Sequence, residues 1–184
     1  MTKKNWLLAA VPMLLCAACA ESHANRVTDN QLKRIEKQAD ARIESVDKRA
    51  AKRQEIVDKN FDAQKEAVSA KDAPNADRSE DMLDAAKDRS EYQVQARAEL
   101  DKLAVRIKAA EDKMKVLGPK APDPVRNELT SISTEQSTLQ EQLVEMNEAA
   151  PSAWDEHKSK MDQRISMLDS RLSDLDSEIE DAAG

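Results

Sequence analysis

Side chains that could act as nucleophiles or metal ligands are few in this sequence and do not lie together. The cysteines, Cys16 and Cys19, fall in the stretch LLCAACAES near the start, and the histidines, His23 and His157, are far apart. Covalent catalysis needs a nucleophile beside a base, and a zinc site needs several clustered ligands. We therefore predict no catalytic residue, no metal site and no cofactor, and we expect a protein that is not an enzyme.

The charge distribution argues against nucleic acid as a ligand. The chain has 36 Asp and Glu against 29 Lys and Arg, a formal net charge of −7. Residues 26 to 72 contain 12 basic and 10 acidic residues, whereas residues 73 to 184 contain 15 basic and 25 acidic residues. Nucleic acid binding depends on a basic surface. This asymmetry could instead orient the N-terminal part against the acidic remainder or toward an anionic surface.

The N-terminal segment has the order of a secretory signal. Lys3 and Lys4 precede an apolar stretch, WLLAAVPMLLCAACA, which polar residues follow. A membrane-spanning helix needs roughly 20 apolar residues, and this stretch is shorter and contains Pro12. We therefore predict that residues 1 to 18 are a cleaved signal peptide.

The end of this segment resembles the signal of a bacterial lipoprotein. Such signals read Leu, small, small, Cys, and the sequence here is LCAAC, with Cys16 in the place that Leu usually holds. The resemblance implies cleavage between Ala18 and Cys19 and attachment of diacylglycerol to the Cys19 thiol. Residues 19 to 27 would then be the lipid anchor and its tether.

The residue after Cys19 bears on localisation. It is Ala20 rather than Asp, and by the enterobacterial sorting rule this resemblance implies the periplasmic face of the outer membrane, in a bacterial cell envelope. An ordinary signal peptidase could instead cut before Glu21 or Asn25, where small residues stand three apart, and would release a soluble periplasmic protein.

The composition predicts an all-α fold. Two glycines, 2% aromatic and 35% charged residues suit long helices better than a compact mixed fold. Prolines divide the chain into a long amphipathic helix over residues 28 to 73, a second helix over 76 to 117, and an antiparallel helical hairpin over 124 to 183. We expect these long helices to form an antiparallel coiled coil or helical bundle.

An eleven-residue repeat occupies the first predicted helix, which a capping box at Thr28 would start. The segments IEKQADARIES, VDKRAAKRQEI and VDKNFDAQKEA follow one another from Ile35. Eleven residues make three turns, which favours straight or right-handed packing. The apolar stripe is Ile35, Ala39, Val46, Ala50, Val57, Phe61 and Val68. The sequence leaves open whether this helix packs along the bundle or projects from it.

The last two helices have apolar residues three and four apart, the spacing of a coiled-coil seam. The connection around Pro151 is short, so the two helices should fold back seam against seam, with the second helix as the third member. The predicted seam residues are Val125, Leu129, Ile132, Leu139, Leu143, Met146, Trp154, Met161, Ile165, Leu168, Leu172, Leu175 and Ile179.

This plan of a lipid anchor followed by long heptad-patterned helices resembles Braun-type lipoproteins. The chain ends EDAAG without a terminal Lys, so covalent attachment to peptidoglycan is not implied. We expect a non-catalytic spacer, scaffold or assembly partner, held to the membrane by its N-terminal lipid and contacting protein partners or a second copy through its seams.

Two alternatives remain at this point. One is a soluble periplasmic holdase-like or partner-binding coiled-coil protein. The other is a surface-coating stress protein, because the repeat resembles the amphipathic repeats of apolipoproteins and desiccation-protective proteins.

Overall fold

The computed structural model describes residues 17–69 and 76–183, and these residues contain helices and no strand. The long helices pack against one another, which confirms the predicted all-α helical bundle. Their bounds are Ala17–Ser69 (α1), Ala76–Leu117 (α2), Asp123–Glu145 (α3) and Trp154–Ala183 (α4). The predicted turn at Pro74 lies outside the described residues, as does the predicted signal peptide apart from its last two residues.

Helix α1 extends further toward the N-terminus than the sequence indicated. The prediction that the helix starts at Thr28 is wrong, since residues 17 to 27 are already helical. No Pro or Gly interrupts this segment, and its alanines favour helix, so the backbone hydrogen bonds continue through the expected capping box. The tether expected over residues 19 to 27 is therefore part of α1.

Helices α2, α3 and α4 enclose one continuous hydrophobic core. The core begins at Tyr92 in α2, so the second half of α2 is the third member of the bundle, as expected. Each helix places its apolar stripe inward, and burial of these stripes stabilises the bundle. The largest fully buried side chains are Leu100, Ile132, Leu139, Leu168, Leu172, Leu175 and Ile179.

The connection from α2 to α3 depends on one glycine. Gly118 has a φ of +56°, a conformation that suits glycine and ends α2. Helix α3 begins at Asp123, one residue before the start expected for the hairpin. Pro122 is the N-cap because its carbonyl accepts from the Arg126 N–H at 3.2 Å, and no side chain caps this end.

Helix α1 runs antiparallel along α2, which answers the question that the sequence left open. Lys65 of α1 contacts Asp84 near the start of α2, and Glu36 contacts Lys113 near its end. Residues 78 to 88 of α2 contain no fully buried side chain. The α1–α2 pair thus continues beyond the end of the bundle at which α4 begins.

Truncating a core residue should lower stability by far more than truncating an exposed residue on the same helix. We expect Leu172→Ala to lower the free energy of unfolding by about 2 to 5 kcal/mol, because Leu172 is fully buried and a cavity would remain. Met167, which is 57% exposed, is the control. Met167→Ala should change the free energy of unfolding by less than about 0.5 kcal/mol. Urea unfolding followed by circular dichroism measures both, and equal losses would contradict this core.

Candidate functional site

The three repeats of α1 open with the same order of residue types: apolar, acidic, lysine. These openings are IEK at residues 35–37, VDK at 46–48 and VDK at 57–59. Successive residues of a helix are about 100° apart, so the three side chains of each opening point in three directions. The repeat therefore gives α1 an apolar side, an acidic side and a basic side.

The apolar side of α1 faces α2. Val46 is 5% exposed, and the other residues of the predicted stripe are half-buried. Val46 and Ala98 are both buried but lie outside the continuous core, and they line the same small gap between α1 and α2. Small and branched side chains at this contact let the two helices approach closely.

The acidic side of α1 forms ion pairs with lysines of α2. A carboxylate oxygen of Glu36 lies 3.1 Å from Lys113 Nζ, and one of Asp47 lies 2.7 Å from Lys102 Nζ. Asp58 pairs with Lys87 at 3.6 Å in the same way. Because the three acids stand eleven residues apart, these pairs fix the axial register of α1 on α2.

Lys102 is held protonated by its partners. Its ammonium donates hydrogen bonds to Asp47 and to Glu99, and these bonds raise the pKa of Lys102 above its ordinary value.

Lys113 of α2 connects α1, α2 and α4. This contact lies toward the N-terminal end of α1. The Lys113 side chain is only 7% exposed, and its Nζ lies 3.1 Å from Glu36 of α1 and 3.8 Å from both Asp176 and Glu180 of α4. A buried ammonium is tolerated where carboxylates surround it. Lys113 therefore ties α1 to the bundle and not only to α2.

The basic side of α1 lies mostly away from α2, with Arg53 at the edge of the contact between the two helices. It consists of exposed residues of the third, seventh and eighth repeat positions, and we call it the basic face. Its members are Lys37, Arg42, Lys48, Lys52, Arg53 and Lys59. No acidic residue occupies these repeat positions between residues 37 and 64.

The bundle end next to α4's first turn is closed by aromatic and cationic side chains. The rings of Tyr92 and Trp154 meet edge to face at 5.7 Å, and the Arg89 guanidinium lies 4.9 Å above the Trp154 ring. The Tyr92 hydroxyl donates to Asp162 at 2.9 Å. Burial, and then this acceptor, raise the pKa of Tyr92 far above its ordinary value, so Tyr92 is a neutral packing residue and not an acid–base group.

A groove of about 850 Å³ separates α1 from α4 above α2. Its apolar lining includes Ile43 of α1, Leu103 of α2 and Ile165 of α4, and charged residues such as Arg106 and Asp169 border it. Arg106 donates a hydrogen bond to Asp169 across the bundle. The groove is a candidate surface for contact with another protein.

The residues predicted for the α3–α4 seam lie in the core. All are buried except Ile165, which is partly buried and packs against the same core. Gln136, at a seam position, is also buried, and its amide nitrogen donates to the Leu100 carbonyl at 3.1 Å. His157 lines a shallow surface pocket beside Lys160 and Gln142.

The residues predicted for lipidation and cleavage, Cys19 and Ala18, lie in the first turns of α1. Within the described residues no helix is long and apolar enough to cross a membrane. In the same part of the chain no group of three or more His, Cys, Asp or Glu is placed to hold a metal ion. The sequence pattern did not predict the ion pairs between α1 and α2, although Glu36, Asp47 and Asp58 stand eleven residues apart in the sequence.

In comparisons with protein-family models, curated proteins and solved structures, nothing matches this chain.

Removing the Lys113 ammonium should weaken the attachment of α1. We expect Lys113→Met to lower the free energy of unfolding by about 1 to 2 kcal/mol, because Glu36, Asp176 and Glu180 would face one another without a cation. Amide hydrogen exchange around Glu36 should also become faster.

Lys115→Met is the matched control for this change. Lys115 is on the same helix, but it is 68% exposed and pairs only with Asp112, so its loss should cost less than about 0.5 kcal/mol. Equal stability and equal exchange in the two variants would contradict the assigned role of Lys113.

Proposed function

We propose that this protein is a lipid-anchored, non-catalytic scaffold, spacer or assembly partner of a bacterial cell envelope. The observation that carries the proposal is the continuity of α1, which spans Ala17–Ser69. Cys19 and the bundle are joined by one uninterrupted helix that ion pairs fix to α2. An acyl group on Cys19 would thus hold the whole bundle at a membrane without a loose linker.

The lipoprotein-like signal supports the anchor. The sequence LCAAC places small residues before Cys19, and the multiple acyl chains of a lipoprotein give stable attachment where a single chain would not. Ala20 after the cysteine supports the periplasmic face of the outer membrane as the destination. A soluble periplasmic form is the alternative, with cleavage before Glu21 or Asn25.

The scaffold role is favoured by what the surface offers. Long helices present the groove between α1 and α4 and several extended charged faces, which are suited to contacts with other macromolecules. A holdase would need apolar seams open to clients, and the seam residues named above are buried. A surface-coating protein would need the apolar stripe of α1, and that stripe packs on α2.

The mass of the mature N-terminal peptide tests the anchor. We expect the wild-type protein to begin at an acyl-glyceryl Cys19 and to partition into the detergent phase, and Cys19→Ser to lose both properties. Cys16→Leu is the matched control, because it removes the other cysteine and places there the residue that such signals usually have, and it should leave the mature peptide unchanged. An unmodified N-terminus at Glu21 or Asn25 would contradict the proposal.

A further inference from the structure

The basic face of α1 remains positively charged in the folded protein. Among the described residues, Lys37, Arg42, Lys52 and Arg53 have no ion-pair partner. The other two members, Lys48 and Lys59, pair with Glu44 and Glu55 one turn away on α1 itself. Exposed pairs of that kind are weak and leave both charges in solvent.

The fold separates this face from most of the acidic residues. Glu36, Asp47 and Asp58 of α1 turn toward α2, where lysines pair with them. Residues 123 to 183, which form α3 and α4, contain 15 Asp and Glu against 5 Lys and Arg. Helix α3 packs on α2 and makes few or no contacts with α1. The molecule therefore has a positive side and a negative side.

The basic face is also long and straight. From Lys37 to Lys59 it extends about 33 Å at 1.5 Å per residue, and the eleven-residue repeat returns each of its positions to nearly the same side of the helix. It has no concavity that would select a small ligand. A line of lysine and arginine side chains suits an extended anionic surface.

We propose that the basic face binds the headgroups of an anionic lipid bilayer, so that α1 lies along the membrane. This inference rests on the proposed function in one respect, which is that a membrane is the neighbouring surface. Cys19 belongs to the same helix as the basic face, and an acyl group and a basic surface are two attachments that act together.

The contact is electrostatic and does not involve insertion. The apolar stripe of α1 is covered by α2. Among the described residues of α1, Ile56 is the one exposed large apolar side chain, which is too little to hold the helix in the hydrocarbon. Binding should consequently require anionic lipid and weaken strongly with salt, because exposed charges are screened over about 10 Å at 0.1 M. The inference favours a scaffold lying on the membrane over a spacer standing away from it.

Vesicle flotation of the mature chain without its acyl group tests the proposal separately from the anchor. The protein is residues 19 to 184 with Cys19→Ser, mixed with vesicles of phosphatidylcholine alone or with about 30% phosphatidylglycerol. The test variant carries Lys37→Gln, Arg42→Gln, Lys52→Gln and Arg53→Gln. The control carries Lys115→Gln, Lys120→Gln, Arg126→Gln and Lys160→Gln, four exposed basic residues outside α1 with the same change in net charge.

We expect binding to the anionic vesicles only, lost at about 0.5 M salt. The test variant should bind at least about tenfold more weakly, since each basic residue near such a surface contributes about fivefold, and the control should bind nearly as wild type. Circular dichroism confirms that both variants are folded.

Three results would overturn the inference. They are equal binding to neutral and anionic vesicles, equal losses in the test and control variants, and charge-dependent self-association in sedimentation without vesicle binding, which would make a second copy the occupant of the face. None of them alters the mass of the N-terminal peptide, so the inference can fail while the anchor stands.

Discussion

The antiparallel contact between α1 and α2 is the constraint on which the rest of this structure depends. Helix α2 contacts each of the other long helices, and it does so with two different sides. One side, from Tyr92 onward, completes the core with α3 and α4, and the other receives the apolar stripe of α1 around Val46. Because the acids of α1 recur every eleven residues, one register alone brings them to Lys113, Lys102 and Lys87.

This register has a consequence for the surface. The residues of α1 that contact α2 are mainly apolar or acidic. Most lysines and arginines of the repeat therefore remain on the outside, with Arg49 and Arg53 at the edge of the contact. The bundle beyond α2 is strongly acidic, so the charges of the two sides do not cancel locally. A protein with an overall negative charge thereby presents one elongated positive face, and the helix that bears this face also contains Cys19.

Periodicity explains which parts of the fold could be predicted from the sequence. The strict three and four spacing from Val125 to Ile179 specified the α3–α4 seam, because only one side of each helix was apolar. The stripe of α1 was predictable for the same reason, but its partner was not, since an alanine-rich stripe suits several neighbours. The partner depends on lysines of α2 whose spacing, Lys87, Lys102 and Lys113, has no obvious period. Arg89 interrupted the apolar pattern of α2 because it stacks on Trp154 at the end of the core.

The orientation of the protein on a bilayer tests the central proposal most directly, namely that α1 turns its basic face to the membrane. Neutron reflectometry on a supported bilayer containing phosphatidylglycerol measures the thickness of the protein layer. With α1 lying flat and α2 and α3 stacked above it, three helix layers of about 10 Å each predict a layer of about 30 Å. A layer of about 80 Å, the length of a 53-residue helix standing upright, would contradict the account.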